Sequence, residues 1–351
     1  MQADIRIEQA QHSKIGDVDF DDIIFGKQFT DHMYICDYKD GKWGNARIQP
    51  YGDLSLSPSL SALHYGQSIF EGMKAYKSPQ GEPLFFRPEE NWSRLNKSAE
   101  RMCMPSLPKD IFMRGLKKLI SMDQDWIPSK EGSSLYIRPF MFATDDFLGV
   151  KYSDTYTFII YCCPVNAYYN GTLKVKVEEE YSRAAPGGVG YTKCAGNYAA
   201  AMLPTKKARE EGYDQILWTD AVEHKYVEET GTTNFFALIG NKVVTAEVSE
   251  LLLSGITRKS IIDLLKKDGI EVEERKISVQ ELLDAHNNGE LKECFATGTA
   301  ATIVGIQSLG FRGTQYELTT GENTLTEKIK KQITDIKTGK AEDPFNWVET
   351  L

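Results

Sequence analysis

Apolar and polar positions along the chain follow two periods. "YTFIIYCCPV" (156–165) is apolar almost throughout, "TLKVKVEEEY" (172–181) alternates, and "DQILWTD" (214–220) is a short apolar run; all three predict strands. In "PLFFRPEENWSRLNKSAERMCM" (83–104), Trp92, Leu95, Ala99 and Met102 recur at spacings of three and four behind a first-turn Pro88 and the acidic pair Glu89 and Glu90, which predicts an amphipathic helix. "DIFMRGLKKLISM" (110–122) repeats that pattern, and "GITRKSIIDLLKKDG" (255–269) reads as a helix closed by Gly269. "SVQE" (278–281) is a capping box opening another helix. "NFFALIGNKVVTAE" predicts a hairpin turning at Gly240-Asn241, and "CFATGTAATIVGI" reads as strand, glycine turn, strand. Strands and helices are mixed throughout, so the class is α/β or α+β. The turn-like "NAYYNG" (166–171) divides an N-terminal α+β domain, 1–164, from a linker, 165–175, and a C-terminal α/β domain, 176–351.

Composition narrows the function more than the fold. The 351 residues carry a net charge of −9 and no long basic run, which argues against nucleic acid and anionic lipid as partners. No apolar run approaches the ~20 residues of a membrane helix. The six scattered cysteines form no CxxC, as in a reduced, cytoplasmic protein. Phosphate-loop, HExxH and GxSxG patterns are absent, and the five histidines are far apart, so no metal site is expected.

One stretch departs from the chain's charge pattern. "AAPGGVGYTKCAGNYAAAMLP" (184–204) holds a single charged side chain, Lys193, among glycines, alanines and tyrosines. A deprotonated lysine condenses with carbonyls, and glycines let backbone approach a flat ligand. Taken locally, the stretch fits a surface lysine on a glycine loop better. "YVEETGTTNFF" (226–236) sets two carboxylates before a Gly-Thr-Thr turn; it reads as a solvated acidic turn or as a carboxylate aimed into a pocket. Similar small-hydroxyl turns at "SGITR" (254–258) and "ATGTAAT" (296–302) could together make a cup for an anion such as phosphate. In "SLYIRPFMFA" (134–143), alternation puts Tyr136, Arg138, Phe140 and Phe142 on one face, with Arg138 either at an edge or facing an anion. Asn91 and Arg94 lie off the apolar stripe of their helix and read as its wet face.

Together, "LHYGQSIFEGMKAY", "LFFRPEENWSRL", "SLYIRP", "GYTKCAGNYAA", "EETGTTNFF" and "ATGTAAT" resemble the branched-chain amino acid aminotransferases, pyridoxal-phosphate enzymes of fold type IV, in order from about residue 25 to about 340. The resemblance implies a two-domain, D-amino acid aminotransferase-like architecture with the cofactor between the domains. It implies that Lys193 carries pyridoxal phosphate as a Schiff base and shuttles a proton. Glu229 resembles the partner of the pyridine nitrogen, and Tyr198 the donor to the phenolic oxygen. Arg94, Ile256, Thr257 and Thr299 match the phosphate site, and Thr232 lies near the cofactor. Tyr65, Phe70, Tyr136 and Tyr168 resemble the apolar substrate wall, Arg138 the distal-carboxylate partner, and Thr299-Ala300 the α-carboxylate site. The implied reaction is a ping-pong transfer between leucine, isoleucine or valine and 2-oxoglutarate. In this family Tyr65 is presented across a subunit boundary, which implies a homodimer. Ala301 and Val304 stand where some animal members carry a redox CxxC. A related cofactor enzyme acting on D-amino acids, an aryl lyase, or a non-catalytic binding protein are the competing readings.

Overall fold

The computed structural model describes residues 4–166 and 171–351. The chain separates into two compact units. One comprises Met1–Tyr168, Thr192–Ala195 and Asp335–Leu351; the other comprises Tyr169–Tyr191 and Gly196–Thr334.

In chain order the first unit carries β1 (Arg6–Ile7), β2 (His32–Lys39), β3 (Lys42–Pro50), α1 (Ser61–Tyr65), β4 (Ser68–Phe70), β5 (Met73–Lys77), β6 (Pro83–Phe86), α2 (Pro88–Arg101), α3 (Lys109–Met122), β7 (Ser134–Ala143) and β8 (Tyr156–Val165). The two expected helices form where the apolar period placed them. The second unit adds β9 (Leu173–Val177), α4 (Ala195–Ala200), α5 (Met202–Glu210), β10 (Gln215–Thr219), β11 (Val227–Thr230), β12 (Thr233–Ile239), β13 (Lys242–Thr245), α6 (Ile256–Lys267), β14 (Glu271–Glu274), α7 (Val279–Asn287), β15 (Leu291–Gly298), β16 (Thr302–Phe311) and β17 (Thr314–Glu317). The chain ends with α8 (Leu325–Lys337) and β18 (Val348–Thr350).

Two boundaries differ from expectation. β9 begins at Leu173, inside the stretch expected to be linker, because its alternating side chains bury Leu173, Val175 and Val177. The C-terminal segment does not stay with the second unit: β18 pairs antiparallel with β6, Val348 opposite Phe86, and so belongs to the first. Trp347 caps this edge with its ring 5.7 Å from that of Phe86.

Among the described residues the first unit's sheet has the order β1-β3-β2-β8-β7-β5-β6-β18, with β4 on β7. The long β7–β8 pairing places Arg138 opposite Tyr161. Met33, Ile35, Phe142 and Ile159 form an apolar cluster on this sheet. The second sheet runs β11-β10-β9-β16-β15-β12-β13-β14, with β17 on β16; a further β11–β12 pairing closes the first six strands into a ring. Closure leaves no free edge among those strands. Leu217, Phe235, Ala237, Ala296 and Ile306 pack in its core.

Local signals account for the element ends here. Ser278 caps α7 by accepting the Glu281 N–H at 3.0 Å. Gly240 takes φ +60 in the β12–β13 turn, and Gly269 takes φ +75 just after α6. Among the described residues no helix is long and apolar enough to cross a membrane.

Candidate active site

In the first unit, β4 and β7 present one aromatic and cationic face. The Arg138 guanidinium lies 4.5 Å from the Phe70 ring centroid and 5.4 Å from that of Tyr136, and its Nη2 donates to the Tyr136 hydroxyl at 3.1 Å. Arg138 thus lies over aromatic faces, whose π-electrons attract a guanidinium. Phe25 meets Tyr136 edge-on with centroids 5.1 Å apart, adding a second wall to this face. Sequence reasoning passed over Phe25, because no period marks the N-terminal segment that carries it.

Lys193 reaches the same face. Its Nζ lies 4.9 Å from the Phe70 centroid. Its backbone is held on both sides: the Lys193 N–H donates to Ser98 Oγ at 3.0 Å, and its carbonyl accepts the Phe70 N–H at 3.0 Å. Ile69 and Cys194 form an isolated bridge. Lys193 does lie on a loop, outside any helix or strand, but its surface placement is corrected: the residue is half-buried and docked onto β4 and α2, because a small-residue segment can lie flat against them.

The wet-face reading of α2 is also corrected. Asn91 and Arg94 are buried. Arg94 donates through Nε to Glu71 Oε1 at 2.7 Å and through Nη2 to Glu71 Oε2 at 2.8 Å, while Asn91 Nδ2 donates to Glu71 Oε2 at 2.8 Å. This bidentate pair fixes the plane of the guanidinium. Tyr65 is partly exposed at the end of α1, its hydroxyl donating to the Leu148 carbonyl. Tyr168 lies outside the described residues.

The second unit gathers the three small-hydroxyl turns at one end of its sheet. The β11–β12 turn pairs Glu229 with Asn234, and the next pairing sets Asn234 opposite Thr297, just before the β15–β16 turn. These turns are close enough that a Cβ on Gly298 would lie 3.0 Å from Thr233 Cγ2. The third turn, at the start of α6, is tied to the same asparagine. Asn234 Nδ2 donates to the Leu253 carbonyl at 3.0 Å, and a Cβ on Gly255 would overlap Asn234 Oδ1. Glu229, Thr232, Ile256, Thr257, Thr299 and Ala300 are thereby brought to one place. Tyr198 lies on α4, five residues beyond Lys193.

Glu229 is buried and well supported. Oε1 accepts the Leu253 N–H at 2.7 Å and Asn234 Nδ2 at 3.2 Å, and Oε2 is 3.2 Å from Arg183 Nε. Arg183 also donates to the carbonyls of Gly190 and Leu251. The contacts of Glu229, two hydrogen bonds and one ion pair, fix the carboxylate in place. The neighbouring Glu228 differs. Burial pushes its carboxyl up to about 8, with Arg183 opposing the shift. Of the two acids, Glu229 is the one with hydrogen bonds and an ion pair, while neither carboxyl oxygen of Glu228 has a hydrogen-bond partner among the described residues. Arg183 gave no signal in the sequence, since it lies 46 positions from its partner.

This end of the second unit suits an anion. The first turn of α6 has no acidic residue and no side-chain cap on Gly255, so its amides are turned toward whatever lies at the helix start. The buried hydroxyls of Thr230 and Thr297 have no hydrogen-bond partner among the described residues. No group of three or more His, Cys, Asp or Glu that could hold a metal occurs among those residues.

The family described as Amino-transferase class IV matches residues 68–309, more than half of the chain. Branched-chain-amino-acid transaminase 1 of Bacillus subtilis (strain 168) is 47% identical over 329 residues, 92% of this chain and 92% of that one. The branched-chain-amino-acid aminotransferase of Mycolicibacterium smegmatis is 42% identical, covering 93% of this chain and 92% of that one. Among solved structures, the Escherichia coli branched-chain amino acid aminotransferase superposes with a TM-score of 0.73 at 30% identity, covering 90% of this chain and 98% of that chain. The chain belongs to the class IV aminotransferases and, within them, to the branched-chain amino acid aminotransferases.

Proposed function

We propose that the protein uses pyridoxal 5′-phosphate to move the amino group between L-leucine, L-isoleucine or L-valine and 2-oxoglutarate by a ping-pong mechanism, giving branched 2-oxo acids and L-glutamate. The observation that carries this reading is the meeting of the three turns around Asn234, with an ion-paired Glu229 and an uncapped helix start among them. That set matches a phosphorylated, pyridine-containing cofactor at both ends: amides for the phosphate and a carboxylate for the ring nitrogen.

When bound, the cofactor supplies an electron sink for the bond broken at the substrate Cα. Lys193 would hold it covalently through Nζ and then take and return the proton at Cα. Glu229 would keep the pyridine nitrogen protonated, and Tyr198 would donate to the phenolic oxygen. Arg94, aligned by Glu71, would bind the phosphate with the Ile256 amide, Thr257 and Thr299, while Thr232 would border the cofactor. The Thr299 and Ala300 backbone would receive the substrate's α-carboxylate. Phe70, Tyr136, Tyr65 and Tyr168 would wall the aliphatic side chain, and Arg138 would receive glutamate's distal carboxylate. Amino-group exchange between labelled leucine and 2-oxoglutarate, run over a panel of L- and D-amino acids, tests the reading. Exchange with L-leucine, L-isoleucine and L-valine is expected; exchange confined to D-amino acids, or none in protein reconstituted with the cofactor, would refute it.

We further propose a homodimer in the cytoplasm. Leu63, Tyr65, Leu148 and Val150 are 64%, 42%, 61% and 85% exposed, an apolar set of the kind that a second copy covers. The Tyr65–Leu148 hydrogen bond ties the two segments that carry it. Sedimentation equilibrium should return twice the chain mass, and a Val150→Asp change should shift it toward the monomer. A wild-type chain that sediments at the monomer mass at micromolar concentration removes the proposal. All six cysteines are free thiols, as a reducing compartment keeps them.

A further inference from the structure

The turn joining β15 to β16 breaks a rule of its own geometry. Gly298 and Thr302 pair across it, so Thr299, Ala300 and Ala301 make a three-residue turn. Turns of this length commonly close on a residue in the left-handed region, a place suited to glycine or asparagine. Here the left-handed residue is instead the one just past the turn, Thr302, the first of β16, with φ +59. The other non-glycine residues with positive φ among those described are Asp40, Asn45, Arg87, Cys103, His224, Arg312, Asn323 and Asn346, none of them branched at Cβ. Thr302 alone puts a β-branched side chain where such a side chain is least at ease.

Strain of this kind persists only where the surroundings over-determine the backbone. They do so here. Thr297 pairs with Ile303 and Ala296 with Val304, while β12 flanks β15 through Asn234 and Thr297. On the other side, a Cβ on Gly298 would lie 3.0 Å from Thr233 Cγ2, so the β11–β12 turn packs close against the residue that enters this turn. A glycine at 302 would accept the same φ without strain, yet it would also accept many others. A β-branched residue forced into the left-handed region has one narrow well, and the amides that precede it inherit that narrowness.

We infer that Thr302 is a positioning residue: its constrained left-handed backbone fixes the direction of the Thr299 and Ala300 amides, and so the seat of the substrate's α-carboxylate. This rests on the proposed role of those two amides. Thr302 acts through the turn, and its hydroxyl takes no part.

Thr302→Gly, Thr302→Asn and Thr302→Val test it in the cofactor-loaded enzyme. In Thr302→Gly the KM values for leucine and 2-oxoglutarate should rise together by about ten-fold, with a smaller change in kcat and an unaltered cofactor spectrum. Thr302→Asn, which tolerates the left-handed region without β-branching, should move the same way, and serves if the glycine variant folds poorly. Thr302→Val should match the parent. Binding of 4-methylpentanoate and of 4-methylpentan-1-ol, which lacks the carboxylate, separates the inference from the reading beneath it. In the parent the acid should bind more tightly than the alcohol, and Thr302→Gly should remove much of that advantage. An advantage that survives intact in Thr302→Gly overturns the positioning role alone, as does a Thr302→Val defect equal to that of glycine. No advantage in the parent overturns the α-carboxylate role of Thr299 and Ala300 itself.

Discussion

Lys193→Ala is expected to lower amino-group transfer by about 10⁴-fold or more, because covalent attachment and proton transfer at Cα would be lost with one amine. The loop is held by backbone groups, the Lys193 N–H on Ser98 and its carbonyl on the Phe70 N–H, and both survive in alanine. The variant should keep its melting temperature within a few degrees. Reconstituted with pyridoxal phosphate, it should lack the visible absorption band of the parent and its shift on adding leucine. Methylamine in the assay should restore a fraction of the rate. A variant that keeps both band and turnover would move the covalent role away from Lys193.

Arg138→Ala is expected to separate the two half-reactions. Glutamate's distal carboxylate would lose its cation, and losing one partner of a buried charge pair costs about 10²–10³-fold. Leucine brings no second charge, so its half-reaction should change only a few-fold. The packing of Arg138 fits a pocket that would serve both. Without an anion, the guanidinium lies over Phe70 and Tyr136 and donates to the Tyr136 hydroxyl. Single-turnover rates with each amino acid decide the matter: equal losses in both would count against the role given to Arg138.

Much of the architecture was legible because it rests on neighbours in sequence. The apolar stripe of α2, the Ser278 capping box and the Gly240 hairpin each depend on residues within a turn or two of one another. The same holds for the small-hydroxyl turns, whose composition pointed to an anion site before their meeting around Asn234 was visible. What stayed hidden depends on distant partners. Asn91 and Arg94 looked wet because a helical period reports one stripe, and the acid that buries them, Glu71, sits 23 positions before Arg94. Arg183 could not be matched to Glu229 for the same reason. β18 is three residues long and carries no period of its own. Thr302 was hidden differently: its type argues against the conformation it adopts, so only the backbone reveals it.

The scattering of the first unit along the chain bears on how the protein is made. Its edge strand β18 comes from residues 348–350 and pairs with β6 at residues 84–86, among the most widely separated partners in the molecule. The segment holding Lys193 likewise joins that unit from beyond the start of the second. On the ribosome, residues 1–168 therefore emerge without two pieces of their own unit, and β6 waits with an open edge until residues 348–350 have emerged. The first unit therefore cannot finish folding before residues 348–350 emerge, although most of its sequence precedes the second unit, and a nascent chain arrested before residue 348 would expose a strand edge that β18 otherwise covers.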